Sequence, residues 1–161
     1  MPNIVEHPDR PYVGIRKTIT MTTFGQVADR IGELIGWLAQ RGVAPAGAPF
    51  LRYDSIDMAA DRLVVEAGVP VAEPVAGEGE IFAAHLPAGR YATVSHHGHP
   101  DQLVGVIEAL LEWAAKRDLK WDLSETNGVE GWGCRLELYN TDPRVEPDPN
   151  KWNIDLEFRL A

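Results

Sequence analysis

Read for apolar and polar positions, the chain falls into two similar series of elements. Residues 11–21, PYVGIRKTITM, are rich in β-branched side chains and alternate well enough to predict a strand. In TTFGQVADRIGELIGWLAQRGV the apolar residues Phe24, Val27, Ala28, Ile31, Leu34, Ile35 and Leu38 recur at spacings of three, four and seven. That spacing predicts an amphipathic helix with Thr22 or Thr23 as N-cap and Gly42 near its end. Turn-forming APAGAP follows, then two stretches of strand character, FLRYD and RLVVEAGVPV, separated by a polar run containing Asp57 and Asp61.

After AEPVAGEGE, which has no periodicity, the order begins again. IFAAHLPAGRYATVSHHG predicts strand material broken by the turn LPAGR. HPDQLVGVIEALLEWAAKRDL places Leu103, Val106, Ile107, Leu110, Leu111 and Ala114 on one helical face. Pro100 suits the first helical position there, and Asp101 beside it favours the helix dipole. GCRLELYN and NIDLEFRLA predict two more strands, joined by TDPRVEPDPNKW, whose prolines and acids cannot continue a ladder. Aligned element by element, Tyr12 meets Tyr91, Trp37 meets Trp113 and Tyr53 meets Tyr139. The pattern therefore predicts one domain made of two repeats, residues 11–73 and 80–161. The fold class expected is α+β: tandem strand-helix-strand-strand repeats forming one antiparallel sheet, with two main helices on one face and a ligand groove on the other.

Within RLELY, alternation turns Leu136 and Leu138 one way and Glu137 and Tyr139 the other. The second set is either a solvated strand face or the wall of a pocket. In the first repeat the matching positions are Leu51 and Tyr53. A partly desolvated carboxylate among aromatic rings attracts a delocalised cation that water would otherwise screen. Trp37 and Trp113, late in the two helices, read as packing residues, whereas Trp121 and Trp132 flank the polar DLSETNGVEG and are candidates for a lid over the groove.

Composition narrows the partners. With 161 residues, 45% of them hydrophobic and 24% charged, the chain can bury a core without disulfides or a structural metal. A formal net charge of −9 opposes binding to nucleic acid or to an anionic membrane surface. No apolar run approaches the roughly 18 residues of a membrane span. The single cysteine, Cys134, rules out an intrachain disulfide, fits a cytoplasmic location and reads as a small buried residue rather than a nucleophile. His97, His99 and Asp101 in SHHGHPD do not converge as metal ligands on an extended segment, and no single histidine there stands out as a general base. Asp142, Glu146 and Asp148 lack the spacing of a calcium loop. No phosphate-cradling glycine motif and no GxSxG is present, and no cofactor is expected.

The tandem arrangement, the segment LPAGRYATVSHHGHPDQLVGVIEALLEWA and the closing RLELYNTDP and WNIDLEFRL resemble the GyrI-like small-molecule-binding family. That family is similar to the effector-binding domains of multidrug-responsive transcription activators. The resemblance runs from about Tyr12 to the C-terminus, and ELYNTDP is its most specific part. It implies a groove for bulky, apolar, often cationic compounds, with Glu137 in the place of the family's strand carboxylate. Tyr139, Tyr53 and Leu51 would surround it, with Trp132 and Trp121 closing over. Three functions follow from the resemblance. The first is a stand-alone monomeric or homodimeric module that senses or sequesters such compounds, without a helix-turn-helix, because the first predicted helix belongs to the repeat. The second is a hydrolase that opens the cyclopropane of alkylating natural products, with Glu137 as general base and Tyr139 or Tyr53 donating to the developing oxyanion. The third is an acidic gyrase-inhibitor-like interaction protein, disfavoured because the acids are scattered rather than arrayed.

Overall fold

A computed structural model describes residues 1–161. The first series comprises β1 (Asn3–His7), β2 (Arg10–Ile19), α1 (Gly25–Ala28), α2 (Ile31–Gln40), β3 (Phe50–Asp57) and β4 (Arg62–Pro70). The second comprises β5 (Phe82–Leu86), β6 (Gly89–His97), α3 (Leu103–Ala115), β7 (Leu123–Thr126), β8 (Val129–Trp132), β9 (Arg135–Tyr139) and β10 (Asn153–Arg159). All strands join one antiparallel sheet whose main order is β1-β6-β10-β9-β3-β4-β2-β5, with the β7–β8 hairpin attached to β3. The α+β class is as the sequence predicts. The main order is the same from either end, with the first, third and second strands of one series meeting the second, third and first of the other. It supports the two-repeat reading. The seam lies between β9 and β3, where Glu137 is the direct partner of Leu51.

The edge strands exchange places. β1 leads into β2 through Pro8 and Asp9 alone yet pairs with β6, while β5 leads into β6 and pairs with β2. Two residues cannot bridge the width of a flat sheet of this order, so the sheet curls until its ends approach each other. The two corner turns touch, Ala88 N–H donating to Asp9 Oδ1 at 2.9 Å. His7 and Arg10 hold the corner to Glu157 on β10 at 3.1 and 3.3 Å. Tyr12, Phe50, Leu86, Tyr91, Cys134 and Leu136 fill the space inside the curl. Phe50 lies over Gly68, where a Cβ would stand 2.4 Å from its ring. The face away from the helices, expected to form the groove, is therefore closed by the sheet's own side chains.

The other face carries the larger core: Val13, Ile15, Leu156 and Phe158 of the sheet pack with Leu34, Leu38 and Leu110 of the helices. The first predicted helix arrives as two pieces, α1 and α2, joined at Asp29 and Arg30 by a tight turn in which Arg30 N–H reaches Val27 O at 3.0 Å. Neither threonine caps it, because Thr23 Oγ1 accepts from Thr20 N–H at 2.8 Å in the preceding turn. Trp37 and Trp113 pack as expected, each beneath the arginine four residues on, with Arg41 at 3.8 Å and Arg117 at 4.5 Å from the ring centroids. Two features were not anticipated: β1, and the β7–β8 hairpin within the polar DLSETNGVEG. Asn127 and Gly128, at φ 53° and 81°, are the left-handed pair that a two-residue hairpin turn requires.

Inside the curl a row of charges crosses three strands. Glu66, 1% exposed, stands opposite Arg16 on β2 and Arg52 on β3. It accepts from the Tyr12 hydroxyl and from Arg16 at 3.1 Å. Arg52 bonds Gly133 O at 2.8 Å and the Tyr12 oxygen at 3.1 Å. Burial, then the proton shared toward Glu66, pushes Asp54 up to about 8. Burial also acts to raise Glu66, but donation from Asp54 and Tyr12 and the two arginines outweigh it and hold that carboxylate low. The fold thus prefers neutral Asp54, and the associated stability is complete below the ordinary aspartate range and lost as pH rises through about 8. Relative to Asp54→Asn, which keeps a neutral donor, the wild-type unfolding free energy should fall by roughly 1 kcal/mol per pH unit from about pH 5 to about pH 8 and level off above. Urea titrations of both proteins across that range check this.

Candidate functional site

With the inner face filled, the open space lies between the helices on the outer face. A cavity of about 690 Å³ has its floor on the β3–β9 seam. Alternation places Leu51 and Tyr53 of β3, and Arg135, Glu137 and Tyr139 of β9, on that floor. Phe24 and Ala28 form one wall, and Leu103, Val104 and Ile107 of α3 the other. The pseudo-twofold arrangement brings a helix to each side of the seam. Met21, Met58 and Val104 are exposed at the mouth, where unbranched methionines can adapt to differently shaped apolar guests. Asp101 and Glu108 add exposed carboxylates at the rim. A neighbouring cleft of about 1020 Å³, between α2 and residues 140–144, shares Ala28, Pro100 and Tyr139 with the cavity.

Glu137 is 9% exposed and accepts from the Tyr139 hydroxyl at 2.7 Å. Burial raises its pKa, and the Tyr139 and Tyr53 hydroxyls and the Arg135 charge reduce that rise without cancelling it. Burial likewise raises both tyrosines, so they act here as neutral donors. Of the residues singled out from sequence, Glu137, Tyr139, Tyr53 and Leu51 come together at the seam.

The two tryptophans do not cover the cavity. Trp121, Trp132 and Phe158 form an aromatic cluster with centroid separations of 5.4 to 6.0 Å. The Trp132 indole donates to Glu130 at 2.9 Å, and Trp121 is bridged to Leu160. A lid must move, whereas Trp132 is paired with Leu123 in the β7–β8 hairpin and Trp121 is bridged to Leu160, which hold both indoles in the packing beside the floor. His99 accepts from Asp101 N–H at 3.0 Å, ordering the turn before α3, and His97 faces Asn153 at 2.9 Å. No three metal-ligating side chains gather anywhere in the chain. Asp142 pairs with Arg144 at 2.9 Å, and burial raises the pKa of the Cys134 thiol. Sequence reading missed Arg135 and the helix-borne walls. Arg135 was legible in principle, since the alternation that exposes Glu137 also turns the residue two places before it toward the cavity.

The chain matches the GyrI-like small molecule binding domain over residues 1–161, and it belongs to that family. No curated protein matches it. Among solved structures, the EcmrR C-terminal domain has a TM-score of 0.77 at 20% identity, covering 100% of this chain and 97% of that one. A hydrolase from Listeria innocua has a TM-score of 0.65 at 12% identity, covering 99% of this chain and 91% of that one. SAV2435 bound to tetraphenylphosphonium has a TM-score of 0.59 at 12% identity, covering 100% of this chain and 94% of that one. At these identities the likeness shows a shared fold. No helix is long and apolar enough to cross a membrane.

A raised carboxylate pKa means that the fold favours neutral Glu137, and the associated stability is lost as pH rises above the ordinary glutamate range. Glu137→Gln removes that loss. Its melting temperature should exceed that of the wild type at about pH 8. The difference should close as pH falls toward about 4. Calorimetry of both proteins at several pH values measures it, and a variant less stable at every pH would refute a desolvated carboxylate.

Proposed function

We propose that the cavity between α1 and α3 binds bulky, apolar, often cationic ring compounds, and that the chain acts as a sensing or sequestering module. The observation that carries this reading is a carboxylate, Glu137, on the floor of an otherwise largely apolar cavity, 9% exposed and held by a tyrosine hydroxyl. At about 4 Å a cation is attracted to it by roughly 4 kcal/mol at an effective dielectric of about 20, against roughly 1 kcal/mol in water. The surrounding rings add cation–π and stacking attraction. Exposed methionines and rim carboxylates suit entry of varied lipophilic cations. SAV2435, which shares the fold, is bound to tetraphenylphosphonium, and EcmrR carries the same fold as its C-terminal domain. The reading keeps the module in the cytoplasm, as monomer or homodimer, away from nucleic acid, in line with its net charge of −9.

One observation favours a second reading. A carboxylate with raised pKa beside two tyrosine hydroxyls is a general base with hydrogen-bond donors at hand. In a cyclopropane conjugated to a carbonyl, Glu137 would take a proton from water as the new C–O bond forms and the strained C–C bond breaks. The electron pair moves to the carbonyl oxygen, which a Tyr139 or Tyr53 hydroxyl stabilises. The Listeria innocua neighbour is a hydrolase.

Because a bound cation favours ionised Glu137, binding should release a proton and strengthen as pH rises through that group's pKa. Titration calorimetry with tetraphenylphosphonium should show this pH dependence in the wild type and a flat profile in Glu137→Gln. The variant should bind about tenfold or more weakly above that pKa, equivalent to about 1.4 kcal/mol. An unchanged dissociation constant removes Glu137 from the site. Mass spectrometry after incubation with a cyclopropane-bearing alkylator separates the two readings: recovery of intact compound supports the binder, whereas a product heavier by one water supports the hydrolase.

A further inference from the structure

A bound cation leaves one charged group on the cavity floor unused. Arg135 shares the outer face of β9 with Glu137 and Tyr139 and lies partly buried in the cavity lining. Its guanidinium carbon stands 4.6 Å from the Phe158 ring centroid, 5.0 Å from that of Trp132 and 5.6 Å from that of Tyr53. It has no hydrogen-bond or ion-pair partner in the protein. Glu137, two residues along the strand with its Cα about 7 Å from that of Arg135, accepts from the Tyr139 hydroxyl instead. Glu130, the other acid felt by Arg135, accepts from the Trp132 indole. Arg52, on the opposite face, has both terminal nitrogens bonded to protein oxygens. Stacking on rings engages the faces of a guanidinium and fixes its plane, leaving its in-plane N–H donors available. Trp132 and Phe158, which do not line the cavity, and Tyr53, which does, thus already hold the protein's own cation, leaving Phe24 and Tyr139 as the cavity rings open to a guest. With Glu137 ionised, Arg135 offsets its charge on the floor, so a ligand with positive charge alone meets repulsion two residues from its counter-ion.

We propose that Arg135 is an acceptor-recognition residue, and that the cavity's preferred ligands are bipolar aromatic compounds. In such a ligand a positive group faces Glu137 and a carboxylate or comparable acceptor meets the Arg135 fork, with the two groups about one strand dipeptide apart. This rests on the reading of the cavity as the ligand site and narrows its ligand class. A planar carboxylate matches two parallel guanidinium N–H groups, and the bond is strengthened where water is excluded. The two opposed ion pairs satisfy both buried charges at once.

The test compares para-carboxybenzyl triphenylphosphonium with its methyl ester, which has the same rings and the same cation but lacks the anionic acceptor. Titration calorimetry of the wild type at neutral pH should give at least tenfold tighter binding of the acid. Arg135→Met, which keeps an unbranched apolar stem against Trp132 and Phe158, should abolish that preference and bind the ester as well as or better than the wild type does. Arg135→Lys, with charge but no planar fork, should retain only part of it. Equal binding of acid and ester by the wild type, or tighter binding of the ester, overturns the inference while leaving the ligand site intact. A preference that survives in Arg135→Met does the same. If neither compound binds, the reading of the cavity itself fails. Should Arg135→Met not fold, the wild-type comparison together with Arg135→Lys decides the matter.

Discussion

Pro8 and Asp9 join two strands that stand near opposite ends of the strand order, and the rest of the structure depends on that short connection. Its counterpart, Pro87 and Ala88, imposes the same condition from the other side. Both can be met only if the sheet curls, and curling makes its two faces different environments. The inner face becomes a closed volume that Tyr12, Phe50, Tyr91 and Leu136 fill. The outer face keeps its helices apart over the central seam, and the space between them is the cavity. A flatter sheet would leave the inner aromatics exposed and bring no comparable separation of roles.

The two faces handle charge in opposite ways. Inside the curl, Glu66, Arg16, Arg52, Asp54 and Tyr12 pair with one another across adjacent strands by hydrogen bonds and ion pairs, the arrangement in which buried polar groups rigidify a fold and fix its register. On the cavity floor, Glu137 and Arg135 share a strand face without pairing. A buried charge left without an opposite charge costs stability. Its persistence here is understandable when a guest supplies the missing partner, and this is the physical contrast between a network that holds the sheet and a pair that receives a ligand.

The near-symmetry of the chain sharpens the point. Leu51 and Glu137 occupy matching places in the two series and face each other across the seam. The symmetric scaffold sets two strands and two flanking helices around one axis, while the chemistry comes from the departure from symmetry, an acid where the other half has a leucine. The matched Trp37–Arg41 and Trp113–Arg117 pairs, by contrast, repeat the same ring-on-guanidinium packing in both halves.

What the sequence alone determined was local. Alternation separated Glu137 and Tyr139 from Leu136 and Leu138, helical spacing marked the apolar faces, and the repeated order of elements led to an α+β sheet with two helices. These follow from backbone periodicity, which neighbouring residues express directly. The tertiary structure decided which sheet face holds the cavity, that Trp121 and Trp132 pack with Phe158 rather than over that cavity, and that Arg135 lies over rings without an ion-pair partner. Each of these depends on the exchange of β1 and β5 between distant parts of the chain. That exchange is a matter of closure between strands far apart in sequence, so no local periodicity carries its signature.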